Sequence, residues 1–279
     1  MPNPERINIK DLTLEEPERK KGLPFDVERD LHPAFWDVAT KQLKDHQERE
    51  SWFNFATDAA DLAILYPERI ADLDLNETMW EKMKEELEIY KKEKVWGLGV
   101  SLAANMKILF PEKNMNNLID MDSWRQIIQT FSSMKDIGSL RDSIVFASEV
   151  KILNPERFKD LELDEEKTWD EIETLLDRYR NVNIDVFAKI ARQVRIVFPE
   201  KFYSLNLDAA MWEKMMKLFR KQEILDPLLD PRHIQFTASL KLLAAEEIKI
   251  TDKGLEIIMS KEKPEFKEET PPMPQTRKF

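Results

Sequence analysis

The chain of 279 residues contains no cysteine, only 5 glycines and only 3 histidines. Without cysteine it cannot form a disulfide, a thiolate zinc site or a cysteine nucleophile. None of the histidines stands at the spacing of an HExxH zinc site, and the glycine patterns of phosphate loops and nucleophile elbows are missing. We therefore predict that the protein is not an enzyme and has no catalytic residue, no cofactor and no metal site.

The sequence also lacks a membrane segment and an excess of basic residues. No stretch approaches the roughly 18 apolar residues of a membrane helix. The N-terminus carries charge where a signal peptide needs an apolar run, which predicts a cytoplasmic protein. Asp and Glu number 54 against 43 Lys and Arg, a net charge of −11. An acidic chain repels phosphate backbones on average, so nucleic acid is not the first partner to expect.

What the sequence does contain is an internal repeat of 44 residues. A Pro-Glu pair followed by Arg or Lys recurs at this interval, with prolines at Pro67, Pro111, Pro155 and Pro199. Alanine stands eight residues before each proline, at Ala59, Ala103, Ala147 and Ala191. Tryptophan follows each proline at 13 or 14 residues, with one more a period earlier, giving Trp36, Trp80, Trp124, Trp169 and Trp212.

The residues around each tryptophan predict an α-helix. Apolar residues follow it at offsets of three and seven, which lie on one helical face. The proline marks the end of the preceding helix. Each repeat is therefore predicted as a helix pair whose tryptophan, alanine and proline form the repeat core. The predicted fold is all-α, an α-solenoid in a right-handed superhelical stack. Its repeat length and helix pairing resemble the HEAT and armadillo class, although the proline inside the first HEAT helix is absent.

The repeat also predicts the domain boundaries. The helical domain should cover residues 31–261, with a terminal unit that is atypical because one face meets water. We predict a leading helix over 33–48, units over 51–93, 95–134, 139–180 and 184–221, and a closing pair over 231–261 with its last helix over 252–261. The proline-rich, polar ends, 1–30 and 262–279, are predicted to be a flexible arm and a disordered tail.

One basic segment departs from the acidic average. Lys189, Arg192 and Arg195 step by three along a predicted helix and form a stripe on it. Lys151 and Lys107 occupy the position of Arg195 in earlier repeats, so a basic ridge is predicted across three units. The candidate partner-binding residues are Lys107, Lys151, Arg178, Arg180, Lys189, Arg192 and Arg195. The alternative is a solvated face paired with nearby acids, the usual meaning of a charge run.

The architecture favours a binding function. Stacked helix pairs form a long surface suited to large partners, so we expect a non-catalytic scaffold or adaptor that binds a protein or belongs to a larger assembly. The alternative is a nucleic-acid-binding repeat protein that uses the basic ridge. An enzyme is a remote alternative, because no catalytic constellation is recognisable.

Overall fold

The computed structural model describes residues 24–32, 34–205, 207–225, 231–251 and 254–259. These residues form mostly helices, which confirms the all-α prediction at the level of fold class. The helices are α1 (Val27–Asp30), α2 (Phe35–Glu48), α3 (Trp52–Leu65), α4 (Glu77–Glu93), α5 (Trp96–Leu109), α6 (Met121–Asp136), α7 (Leu140–Leu153), α8 (Glu165–Val182), α9 (Ile184–Val197), α10 (Pro199–Phe202), α11 (Ala209–Leu225) and α12 (Pro231–Ala244). Two strands follow, β1 (Glu247–Thr251) and β2 (Gly254–Ile258).

Two kinds of helix alternate along the chain. The helices α2, α4, α6, α8 and α11 are amphipathic, and we call them the outer helices. In α4, for example, Met79, Trp80, Met83 and Leu87 are buried while the opposite face carries paired charges. The helices α3, α5, α7, α9 and α12 are more apolar and more completely buried, and we call them the inner helices. Four of them begin at residues 52, 96, 140 and 184, so the 44-residue interval is visible in the helix boundaries.

Local sequence explains where the outer helices begin and end. Side-chain oxygens of Asn76, Asp120, Asp164 and Asp208 each accept a hydrogen bond from the backbone N–H three residues later. At the turns into α3, α5 and α7 the backbone enters the left-handed region, with φ of 55° at Glu50, 58° at Lys94 and 72° at Gly138. These positions are also 44 residues apart, so the same turn geometry recurs.

The repeat motifs meet at the tryptophans. Trp36 contacts Tyr66, the aromatic residue before the Pro-Glu pair, with ring centroids 5.3 Å apart. The guanidinium of Arg69, the base after that pair, lies 4.1 Å from the Trp36 ring. Equivalent cation–ring contacts are Lys113 on Trp80, Arg157 on Trp124 and Lys201 on Trp169. The five repeat tryptophans and four repeat alanines are buried, whereas Pro67 and Pro111 are exposed at the helix ends.

The inner helices form a closed ring. Each of α3, α5, α7 and α9 packs against the next, and α12 packs against both α9 and α3. Across the closing contact, Lys241 Nζ of α12 donates a hydrogen bond of 2.7 Å to the carbonyl of Leu65 at the end of α3. The predicted superhelical stack would leave its end units facing water. In the observed arrangement the last inner helix, α12, covers the first, α3.

The chain after α12 also differs from the prediction. The helix predicted over 252–261 is wrong, since β1 and β2 pair as an antiparallel hairpin with Thr251 opposite Gly254. Apolar and polar residues alternate in β1, where Ile248 and Ile250 are half-buried, and that period of two is typical of a strand. The hairpin contacts α5 and α7, the two inner helices that are not neighbours of α12. It therefore crosses one end of the ring.

The predicted N-terminal arm is partly packed against the helices. Phe25 is fully buried, and its ring lies 5.5 Å from that of Phe219 in α11. A large apolar side chain in a polar segment thus joins residues 24–30 to the core. Residues 1–23 of the predicted arm and the predicted tail over 262–279 lie outside the described residues. Within the described ranges, no helix combines the length and apolar character needed to cross a bilayer.

Candidate functional site

The interior of the ring is lined mostly by polar side chains at two repeat positions. Because they are four residues apart, they lie on one face of each inner helix. In α9 these positions hold Lys189 and Gln193, and we call the equivalent residues of all five inner helices the interior wall. The wall consists of Thr57, Asp61, Ser101, Asn105, Val145, Glu149, Lys189, Gln193, Gln235 and Ser239.

Hydrogen bonds between inner helices connect this wall. Asn105 Nδ2 of α5 donates to Thr57 Oγ1 of α3 at 3.2 Å. Ser148 Oγ of α7, beside the wall, donates to Gln193 Oε1 of α9 at 2.6 Å. Polar side chains on largely buried helices are thereby paired across the helix interfaces.

An arginine of α9 reaches carboxylates on both sides of the ring. Arg192 Nη1 lies 2.6 Å from Asp61 Oδ1 of α3, although α12 stands between these two helices. Both side chains are nearly buried. The Arg192 charge also acts on Glu149 of α7, the neighbouring helix in the opposite direction. A side chain that faces both α3 and α7 from α9 must point into the ring, so the Asp61–Arg192 pair belongs to the interior.

Glu149 is the most perturbed acid of the wall. Burial raises the pKa of its carboxyl from 4.5 to about 7, because the ionised form loses hydration. A hydrogen bond with Ser101 and the charge of Arg192 act in the opposite direction but do not outweigh burial. Glu149 can therefore exchange a proton near neutral pH inside the ring.

The polar wall ends in an aliphatic layer. Three residues after its second position, the same face carries Ile64, Ile108, Ile152, Ile196 and Leu242, all buried or half-buried. The outer helices return the chain between successive inner helices, so the inner helices run parallel and their C-terminal ends share one end of the ring. The aliphatic layer and the β-hairpin both lie toward that end. The interior is thus polar toward the N-terminal ends of the inner helices and apolar toward the other.

The basic ridge predicted from the sequence lies largely between the inner helices. Lys151 Nζ donates to the carbonyl of Val197 at 2.9 Å, and Arg195 donates to the carbonyls of Leu243 and Ala245. Each acceptor lies at or just beyond the C-terminus of the next inner helix, where carbonyls lack intrahelical partners. Lys241 repeats the arrangement across the ring closure. Burial lowers the pKa of Lys151, Arg195 and Lys241.

The other predicted partner-binding residues are dispersed. Lys107 is buried at the position equivalent to Lys151. Lys189 pairs with Asp185 at 3.1 Å, and Arg192 with Asp61, both toward the interior. Arg180 donates to the carbonyl of Leu205 at 3.0 Å, whereas Arg178 is exposed. The structure therefore does not bring the seven predicted residues together on one exposed surface.

The interior wall was missed by sequence reasoning, although a signal was present. Asp61, Asn105, Glu149 and Gln193 are spaced by 44 residues, each in a helix rich in apolar residues. A polar residue that recurs at one repeat position of a buried helix indicates a shared polar interior. The charges of Lys189, Arg192 and Arg195 favour a basic stripe instead.

A second buried acid lies between α2 and α3. Asp58 Oδ2 lies 3.0 Å from both Gln42 Nε2 and His46 Nε2. Burial raises the pKa of Asp58 from 3.8 to about 6. This cluster lies at a single helix interface, so we assign it to packing.

Comparison of the chain with family models, with curated proteins and with solved structures finds no match. Among the residues with described positions, no three His, Cys, Asp or Glu side chains are grouped to hold one metal ion.

Proposed function

We propose that the protein is a non-catalytic scaffold, a solenoid of 44-residue repeats whose ends meet, that binds a protein partner or belongs to a larger assembly. The observation that carries the proposal is the distribution of exposed apolar side chains. Of the seven large apolar residues exposed in the described ranges, four lie where outer helices turn into inner helices. They are Val95, Leu98, Ile137 and Val182, and we call this edge of the ring the turn rim.

The most exposed of these residues support a binding surface. Ile137 is 79% exposed and Val182 is 80% exposed, at successive turns of the ring. Single exposed apolar residues are common, but several along one edge are typical of a protein interface. Removal of such side chains from water on association is favourable.

The charge distribution supports a protein rather than a nucleic acid as the partner. The net charge of −11 opposes binding to phosphate backbones. Several cations of the predicted ridge already bond to helix carbonyls or interior acids. A cytoplasmic location remains part of the proposal, for fractionation to test.

The experiment compares two single variants in the native host. Ile137→Asp places a charge on the turn rim, whereas Met121→Asp changes an exposed apolar residue away from it. Quantitative affinity purification should recover a stoichiometric protein partner with the wild type and the Met121 variant, and lose it with the Ile137 variant. Equal recovery from both variants would remove the turn rim as the binding surface. Salt-sensitive copurification of nucleic acid alone would replace the proposal.

A further inference from the structure

We propose that residues 6–10 of this chain pair with the free edge of β2 and extend the hairpin to a three-stranded sheet over the end of the ring. This pairing occurs at the opposite end from the turn rim and does not depend on a protein partner there. Four features support it: an unpaired strand edge, an incompletely covered aliphatic layer, a segment with matching alternation, and a connection long enough to reach.

The edge of β2 that faces away from β1 has unused backbone groups. The backbone N–H of Glu246 donates to the carbonyl of Ile258 at 2.8 Å, so Ile258 faces β1. Backbone groups alternate in direction along an antiparallel strand, which turns those of Leu255 and Ile257 away from β1. Within the described ranges, no residue bonds to these outward groups. An unpaired edge is a template for another strand, and a two-stranded hairpin gains stability from a third.

The free edge of β2 lies on the side of the ring that holds α3 and α5. Arg195 of α9 and Tyr203, just after α9, both donate to the carbonyl of Glu246, so the chain enters β1 beside α9. The other strand, β2, contacts α5 as well as α7, and α5 packs against α3. A strand added to β2 would therefore lie toward α3.

The same side carries the least covered part of the aliphatic layer. Ile108 of α5 is half-buried, whereas the other four residues of this layer are buried. Leu255 and Ile257 of β2 are half-buried as well, and they pack against the core on the face that holds the isoleucines of β1. A third strand beside β2 would remove these three side chains further from water, which is favourable.

Residues 6–10 have the alternation of a strand for this position. Their sequence is Arg-Ile-Asn-Ile-Lys, and that of β1 is Glu-Ile-Lys-Ile-Thr. In an extended chain Ile7 and Ile9 lie on one face, and isoleucine favours strands. Paired with β2, these two side chains would continue its apolar face across the end of the ring.

The charges of the two strands are complementary. Glu256 lies on the exposed face of β2. In residues 6–10 the face opposite the isoleucines carries Arg6 and Lys10, both basic. Opposite charges on neighbouring strands stabilise their pairing, so Glu256 favours this segment over an acidic one.

The connection is long enough for the segment to reach β2. Burial lowers the pKa of Lys241, and the charges of Glu68 and Asp26 oppose that shift, so Asp26 lies near Lys241. The Lys241 ammonium in turn bonds to the carbonyl of Leu65 at the C-terminal end of α3. Residues 11–23 span up to about 43 Å when extended. Two helix spacings of the ring amount to only about 20 Å.

Hydrogen exchange of the full chain, measured at single amides by NMR, tests the pairing. The double variant Ile7→Asp/Ile9→Asp places charges on the apolar face of the segment. The amides of Leu255 and Ile257 should exchange at least about tenfold more slowly in the wild type than in this variant. The outward amides of β1, at Ile248 and Ile250, are the internal control and should exchange equally in both proteins.

A conservative variant and dilution complete the test. Ile7→Val/Ile9→Val keeps β-branched apolar side chains and should keep the slow exchange. Circular dichroism establishes that each variant is folded, and the single variant Ile9→Asp decides the result if the double variant is not. Equal exchange at Leu255 and Ile257 in wild type and Asp variant would overturn the proposal. Slow exchange that is lost on about tenfold dilution would assign the pairing to a second copy and refute it equally.

Discussion

Glu149 should make the stability of the protein depend on pH in a way that one substitution removes. Its carboxyl has a pKa near 7 in the folded protein, against an ordinary value of 4.5. The folded state therefore binds the proton more tightly than the unfolded state between these two values. By linkage, the contribution of Glu149 to the free energy of unfolding falls as pH rises through this window and is constant above it.

The magnitude follows from the same two values. A pKa difference between 4.5 and about 7 corresponds to about 3 kcal/mol of lost stability when Glu149 is ionised in the folded protein. Because the side chain is partly exposed, we expect a loss of about 2 kcal/mol. Glutamine resembles the protonated acid in shape and charge. Glu149→Gln should therefore raise the free energy of unfolding by about 2 kcal/mol at pH 8.5 and change it little at pH 4.5.

Urea denaturation across this pH range at constant ionic strength measures the effect. The raised pKa of Asp58 changes the pH dependence of the free energy of unfolding in the same direction, but it does so in both proteins. The difference in the free energy of unfolding between wild type and variant therefore isolates Glu149. Glu171→Gln, on the exposed face of α8, is the matched control and should follow the wild type. A difference between wild type and Glu149→Gln that does not change with pH would refute the reasoning.

Further predictions concern the ring closure, the turns and the repeat core. Lys241→Met and Lys151→Met each leave a carbonyl without its donor, so each should lower the free energy of unfolding by about 1–3 kcal/mol. Only Lys241→Met should speed amide hydrogen exchange at the end of α3, where its acceptor lies. Lys94→Gly should stabilise the left-handed turn and Gly138→Ala should destabilise its counterpart, each by about 1 kcal/mol. Thermal denaturation measures both changes in stability, and changes of the same sign in the two variants would contradict the prediction. Trp124→Ala should lower the free energy of unfolding by about 3–5 kcal/mol in denaturant titration. A decrease below about 1 kcal/mol would show that this side chain does not belong to the core.

The sequence alone determined the local architecture. Helix boundaries followed from caps, prolines and apolar spacing, because these act within a few residues. The recurrence of tryptophan with apolar partners indicated burial, and Trp80 and Trp124 are indeed buried. The misassigned helix over 252–261 shows the limit of the same method, because this segment pairs with a strand in which the alternation of Ile248 and Ile250 was the strand signal.

Only the tertiary structure decided which charges are available and where the array ends. The sequence predicts that Lys151 and Arg195 belong to a surface ridge, because it places each of them on a helix. It does not show that the carbonyl end of the next inner helix lies beside each of them. Ring closure requires five helical hairpins to turn by about 72° each, an angle set by packing between helices rather than by repeat length. The same closure brings Asp61 to Arg192, 131 residues away, and creates a shared polar interior that no single repeat contains.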